Sequence, residues 1–269
     1  MRKVGVALSA FALAVTLGAC GGNSDNGSDN RGGAQAGSAE LVALAKSIGD
    51  ETSAASSAHM KITAEAADQH INGEGDLRFG DGTAALSMDM STGQGSVSMV
   101  FLDKVLYMKL PQELVAGKPW LRIDPDSRSE LAKSLGGLNE QLSKNADPRS
   151  ALKEFEDSGE ITAKKDETVD GKKVKHYTIT VNVQLMADNQ SDPAARKAMQ
   201  QAIDAGMKDF PVDVWVDGSG LPMRFALSTP TPDGTGGMTA VKMQVDYSDW
   251  GKPVDITAPP ADQTAEPPA

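Results

Sequence analysis

The residues with the widest chemical range in this chain are three histidines and one cysteine, and their spacing decides what they can do. His59, His70 and His176 are far apart and fall on strand-like segments, with no HExxH pair to hold zinc on one helix face. Solvated strand histidines are the expectation. No GxSxG elbow, no Walker loop and no GxGxxG opening a helix is present, so neither nucleophilic acyl transfer nor nucleotide chemistry has its usual frame. The carboxylates Glu154, Glu156, Asp157 and Glu160 read as one solvated helix face. The sequence therefore offers no catalytic residues, no metal site and no cofactor site. A single cysteine also excludes an intrachain disulfide and a Cys-based zinc site.

That cysteine has another use. Met1-Arg2-Lys3 is a short cationic start, Val4 to Thr16 is apolar or small, and Leu17-Gly18-Ala19-Cys20 follows. The run is too short to span a bilayer core of about 30 Å but fits the apolar region of a signal peptide. Leu17-Gly18-Ala19-Cys20 resembles a bacterial lipobox, in which the cysteine becomes the acylated N-terminus. Residues 1–19 are then a lipoprotein signal peptide, and Cys20 is the lipidation site and membrane anchor. The formal net charge is −11, and loss of Arg2 and Lys3 brings it to −13. Such a body is not drawn to an anionic membrane by charge and must be held by acyl chains, worth roughly 0.8 kcal/mol per buried CH₂. A pI near 4.8 also argues against nucleic acid. The glycosylation-like Asn26-Gly27-Ser28 carries little weight in such a protein.

Residues 21–37 are Gly/Ser/Asn/Asp-rich and read as a flexible tether with a reach of about 23 Å. At the other end, 258–269 is Pro/Ala-rich and reads as a disordered tail. Between them, 38–257 forms one body. Ser38 caps a helix over 39–56, on which Leu41, Leu44, Ala45 and Ile48 keep helical spacing. From His59 the period becomes two. Strands follow at 60–66, 86–90, 97–101 and 105–110, and later at 177–183, 212–217, 223–227 and 241–247. Asp124-Pro125, Asp147-Pro148 and Asp192-Pro193 each announce a helix by an N-cap with proline at the first position. Turns are expected at Gly80-Asp81-Gly82, Asp170-Gly171, Asp217 to Gly220 and Asp233-Gly234.

Clean alternation belongs to an antiparallel sheet with one apolar and one wet face. Nine to eleven strands make a sheet that curls, and its apolar face needs cover. The expected fold is α+β: a large curved half-barrel wrapped around a few short helices. Inward positions are Met60, Ile62, Leu86, Met88, Met90, Val97, Met99, Phe101, Met108, Ile179, Val181, Val214, Phe225, Met243 and Val245. Methionine adapts to irregular partners, so this face reads either as a plain core or as the lining of a cavity for acyl chains. Trp215 falls on the polar side between Asp213 and Asp217, to shield an edge or to meet a partner.

Several stretches across 38–257 carry a resemblance: Val105-Leu106-Tyr107-Met108-Lys109 to Trp120-Leu121-Arg122-Ile123, Val169-Asp170-Gly171 to His176-Tyr177, and Val212 to Asp217. Leu221-Pro222-Met223-Arg224 and the closing YSDWGKPVDI from Tyr247 to Ile256 complete it. In this order they resemble the actinobacterial LppX/LprA/LprF/LprG lipoproteins, which share the curved sheet of the LolA and LolB carriers. The resemblance implies a hydrophobic cavity between sheet and helices that holds lipid or glycolipid during transfer to the cell envelope. A membrane transporter or another envelope protein is the implied partner. It supplies no catalytic residues. Segment 132–147, with Gly136-Gly137 between leucines, is the candidate lid. Two other readings stand beside the carrier: a sensory or interaction lipoprotein that contacts a membrane partner without cargo, and a hydrolase of the envelope, for which no constellation is visible.

Overall fold

The computed structural model describes residues 31–66, 69–80, 83–93, 95–124, 152, 155–232 and 238–267. The signal peptide, Cys20, the Asp147-Pro148 helix start, the 132–147 lid and all but the first residue of the Asp124-Pro125 start lie outside them. Helix α1 (Arg31–Ala55) opens the fold. Six strands follow: β1 (Ser57–Ala66), β2 (Gln69–Gly80), β3 (Thr83–Thr92), β4 (Gly95–Leu102), β5 (Val105–Lys109) and β6 (Trp120–Ile123). Then come β7 (Gly159–Val169), β8 (Lys172–Asn182), helices α2 (Val183–Asn189) and α3 (Pro193–Asp204), and β9 (Asp209–Asp217). The chain ends with β10 (Pro222–Pro232), β11 (Met238–Ser248), a 3₁₀ turn (Ala261–Gln263) and β12 (Thr264–Ala265).

The twelve strands form one sheet in the order β12-β6-β5-β4-β3-β2-β1-β11-β10-β9-β8-β7. Every pairing is antiparallel except β12 with β6. The fold is the expected curved α+β sheet, with twelve strands in place of nine to eleven. Register follows the side-chain alternation. Met60 faces Tyr247, Ile62 faces Val245 and Met88 faces Met99, so apolar residues of neighbouring strands stack on one side. The β4–β5 hairpin turns on Asp103-Lys104, both at positive φ, as a two-residue connection with matching twist requires.

Two boundaries differ from those expected. Helix α1 starts at Arg31, inside the stretch read as tether. Helix-compatible Ala34, Gln35 and Ala36 lie there, and Gly37 is buried against β7, where an added Cβ would sit 2.9 Å from the Ile161 carbonyl oxygen. At the other end the described part of the tail, up to residue 267, is held on the sheet. Ile256 is 3% exposed and packs on Ala85 and Val100, on the face of the sheet opposite α1. Thr264 and Ala265 then pair with Trp120 and Leu121. Low hydrophobicity suggested disorder, but an open sheet edge rewards a short extended segment with backbone hydrogen bonds. The far edge, β7, carries charged residues and a bulge between Ile161 and Ala163, both usual defences of an exposed edge.

Strands β2, β6 and β7 and helix α2 escape the periodicity. β2 is interrupted by glycines, β6 has four residues, and β7 holds an unbroken charged run from Lys164 to Glu167. Glu160, read as part of a helix face, pairs in β7 with Thr180. In α2, Val183 looks like a strand end, but the Asn182 side chain accepts from the Leu185 amide and starts a helix instead.

Candidate functional site

The inner face carries two apolar clusters rather than one continuous lining. In the first, Leu41, Leu44, Ala45 and Ile48 of α1 pack onto Ile179, Val181, Val212 and Val214. Their spacing along α1 puts them on one helix stripe, extended by Thr52, which is also fully buried and bonds back to the Ile48 carbonyl at 2.7 Å. Phe225 and Leu227 pack at the margin.

The second cluster is built from β1 to β6 and β11. Met60, Leu86, Met88, Met99, Phe101 and Val245 are buried together with Leu77 and Phe79. Ile62, Met90 and Met108 pack against them. Among the described residues no side chain of α1, α2 or α3 belongs to this cluster. Its end is closed by the YSDW motif. Trp250 stacks on Tyr247 at 5.5 Å, meets Phe79 edge-on at 6.3 Å and donates its indole N–H to the Pro222 carbonyl.

The fifteen expected inward residues are therefore divided. Nine lie in or against the methionine-rich cluster and Ile179, Val181, Val214 and Phe225 in or against the helix-covered one, with Met60 and Val245 on the strands nearest the division. Val97 and Met243 are half-buried in neither, Met243 keeping the inward register opposite Leu227 and Ala64.

Strand β2 supplies what the sequence reading lacked. Its inward positions run Ile71, Gly73, Gly75, Leu77, Phe79, so the apolar stripe has a two-glycine gap. At Gly75 a Cβ would sit 1.9 Å from the Ser87 carbonyl oxygen and 2.8 Å from Met88 Cα, so the backbone of β3 requires glycine there. At Gly73 the tightest neighbour is a side chain: Met90 Cγ at 3.1 Å, with the Asp89 carbonyl oxygen at 3.4 Å and Met88 Sδ at 3.6 Å in ordinary contact. The gap is thus closed by backbone at Gly75 and bordered by flexible methionine side chains at Gly73. The period-two signal was present in this segment but muted by residues without side chains.

The opposite face is polar and holds an ordered network. His176 is 8% exposed, against the expectation of solvated histidines. His70 meets that expectation, and His59 is half-buried beside Asp76 at 2.9 Å. The His176 ring stacks on Trp215 at 4.0 Å, Nε2 lies 2.7 Å from Asp213 Oδ1, and Nδ1 lies 3.4 Å from Glu167 Oε1. Trp215 donates its indole N–H to Glu167 Oε2 at 2.8 Å, and the Arg224 guanidinium lies 5.8 Å from its ring. Trp215 is thus fixed by its own strand neighbours, which settles its orientation to the polar side. The Lys165 ammonium, the Trp215 N–H and His176 hold the Glu167 carboxyl down to about 2, against a smaller opposing effect of burial.

Beside this network, the polar face has an open groove of about 310 Å³ across β1, β11, β10 and β9. Ala226 and Ser228 of β10 are its low floor, between Asp213 on one side and Gln244, Lys242 and Thr63 on the other. Leu227 and Met243, whose side chains keep the inward register, border it through their backbone. Among the described residues no group of three His, Cys, Asp or Glu side chains could hold a metal ion, and no helix is long and apolar enough to cross a membrane.

No family model matches the chain. A Streptomyces griseus protein, described as an uncharacterized 31.2 kDa protein in the rplA-rplJ intergenic region, is 27% identical over 247 residues, covering 85% of this chain and 79% of that one. Among solved structures the chain is similar to LprF from Mycobacterium bovis, with a TM-score of 0.48, 14% identity, and coverage of 82% of this chain and 97% of that one. LprF is one of the lipoproteins that name the group the sequence resembles. This chain is also similar to MucB in complex with MucA(peri), with a TM-score of 0.37, 13% identity, and coverage of 82% of this chain and 60% of that one.

Proposed function

We propose that this chain is a membrane-anchored lipoprotein that holds the acyl chains of a lipid or glycolipid against the methionine-rich half of its inner face. The supporting observation is the gap at Gly73 in β2, which the Met88 and Met90 side chains border. Each methionine has three soft torsions, so rotation of thioethers frees apolar space with no movement of the sheet. A chain of about 16 carbons gains roughly 13 kcal/mol gross at ~0.8 kcal/mol per CH₂, reduced by ordering and association costs. That gain needs no polar recognition and no catalytic step. The helix-covered half keeps the sheet rigid while the other half adapts.

Acylation of Cys20 after signal cleavage would place the body on the outer face of the cell membrane. Extraction then proceeds by partition of an acyl chain from the bilayer into the protein. Delivery goes to an acceptor in the envelope, a membrane transporter or envelope protein being the partner on either side. The negative surface leaves the protein free of the anionic membrane except through its anchor.

The test is transfer of a fluorescent diacyl phospholipid from donor to acceptor vesicles by the full chain carrying Cys20→Ser. A protein-dependent rate that rises linearly with protein concentration supports the carrier. A rate equal to the spontaneous one, with the protein folded, contradicts it.

A further inference from the structure

We infer that the groove on the polar face is a binding site for a neutral, polyhydroxylated ring, that is, a sugar. Its volume of about 310 Å³ lies at the lower end of small-ligand sites, about 300–1,000 Å³. The groove exists for a sequence reason. On the polar side of β10, Ala226 and Ser228 are short, while their cross-strand neighbours Asp213, Gln244 and Lys242 are longer. A trough follows in the middle of a wide sheet, away from either edge.

Its charges nearly balance. Asp213 and Glu65 disfavour an anion, and Lys242, directly across from Glu65 in register, offsets one of the two carboxylates. What remains on the walls is a mixture of acceptors and donors: carboxylates, the hydroxyls of Thr63 and Ser228, and the amide of Gln244. A ligand that matches such a wall must donate and accept at several neighbouring points without net charge. Ring hydroxyls do so.

One wall is also built in advance. The His176 Nε2 and Thr178 hydroxyl contacts both fall on Oδ1 of Asp213, at 2.7 and 2.8 Å. They fix the plane of the carboxylate while Oδ2 stays available as an acceptor. Behind it the buried His176 ring is clamped between Trp215 and Glu167. A pre-oriented acceptor loses little side-chain entropy on binding. The aromatic ring nearby is already stacked on His176, so hydrogen bonding rather than ring stacking carries recognition.

The site lies on the face opposite the acyl-chain cluster, so its fate is separate from that of the carrier reading. The test is an amide NMR titration of the full chain carrying Cys20→Ser with maltose, cellobiose and lactose, against glucuronate and glucosamine. Saturable millimolar shifts at Thr63, Ser228 and Gln244 with a neutral sugar are expected, with charged sugars weaker. Ala226→Leu should abolish them by raising the floor; Ser228→Leu does the same from the neighbouring position should the first variant fold poorly. Asp213→Asn should weaken binding by about tenfold, the loss of one charge-assisted acceptor. Vesicles displaying a glycosyl diacylglycerol separate the sources. Tighter groove binding there identifies a lipid headgroup, and equal binding identifies a free or wall glycan; either upholds the site. No saturable shift with any neutral sugar, shifts that survive Ala226→Leu, or preference for a charged sugar would overturn it.

Discussion

The two halves of the inner face use different hydrophobes. Around α1, the sheet presents Ile179, Val181, Val212 and Val214, side chains branched at Cβ and stiff at χ1, against Leu41 and Ile48. On β1 to β5 it presents Met60, Met88, Met90, Met99 and Met108 beside Phe101, and the partner strand withdraws its side chains at Gly73 and Gly75. Stiff residues specify one packing, while methionine tolerates several. One half of the sheet is a scaffold and the other is adaptable, within a single hydrogen-bonded ladder.

The contrast can be broken by substitution. Ile48→Ala should have the largest effect, about 4 kcal/mol, because a fully buried side chain leaves a cavity between helix and sheet that stiff neighbours cannot fill. Urea unfolding measures it. Gly75→Ala should cost about 3 kcal/mol, since its Cβ meets the β3 backbone, which gives less readily than a side chain. By contrast, Met88→Leu, at a residue only 4% exposed, should cost less than about 1.5 kcal/mol. A loss at Met88 as large as that at Ile48 would erase the distinction between the halves.

The smallest effect concerns the polar face. Glu167 sits at about 2 in the folded protein against an ordinary 4.5, held down first by Lys165, then by Trp215 and His176. The unfolded chain therefore takes up this proton at higher pH than the folded one. The stability it contributes is complete above the ordinary value and is lost as pH falls toward 2. In Glu167→Gln that contribution is absent, so the gap in urea midpoint between wild type and variant should narrow between pH 5 and pH 2. A constant gap would mean that the Lys165 and Trp215 contacts do not favour the charged form.

Much of the scaffold was legible because its residues keep strict periods. Leu41 to Ile48 mark the helix, and Tyr177 to Val181 and Val212 to Val216 mark their strands without interruption. The adaptable half was legible only in part. Met88, Met99 and Phe101 stand on clean alternation, but β2 hides behind Gly73 and Gly75, whose role is to have no side chain. The ordered C-terminal segment was missed for a different reason. Thr264 and Ala265 have no pattern of their own, and what orders them is the open edge of β6, far away in sequence. The same holds for His176, whose burial depends on Glu167, Asp213 and Trp215 from two neighbouring strands.

The most direct test of the account is mass spectrometry of the organic extract from the full chain carrying Cys20→Ser, purified from a native-like host, beside the same protein with Gly73→Leu. The leucine enters the space bordered by Met88 and Met90; its Cβ is tight only against Met90 Cγ, a side-chain atom, and meets the Asp89 carbonyl oxygen at an ordinary 3.4 Å. The account predicts near-stoichiometric acyl lipid on the parent protein and its loss from the equally folded variant. A folded parent protein with no lipid, or lipid retained in full by Gly73→Leu, would contradict it.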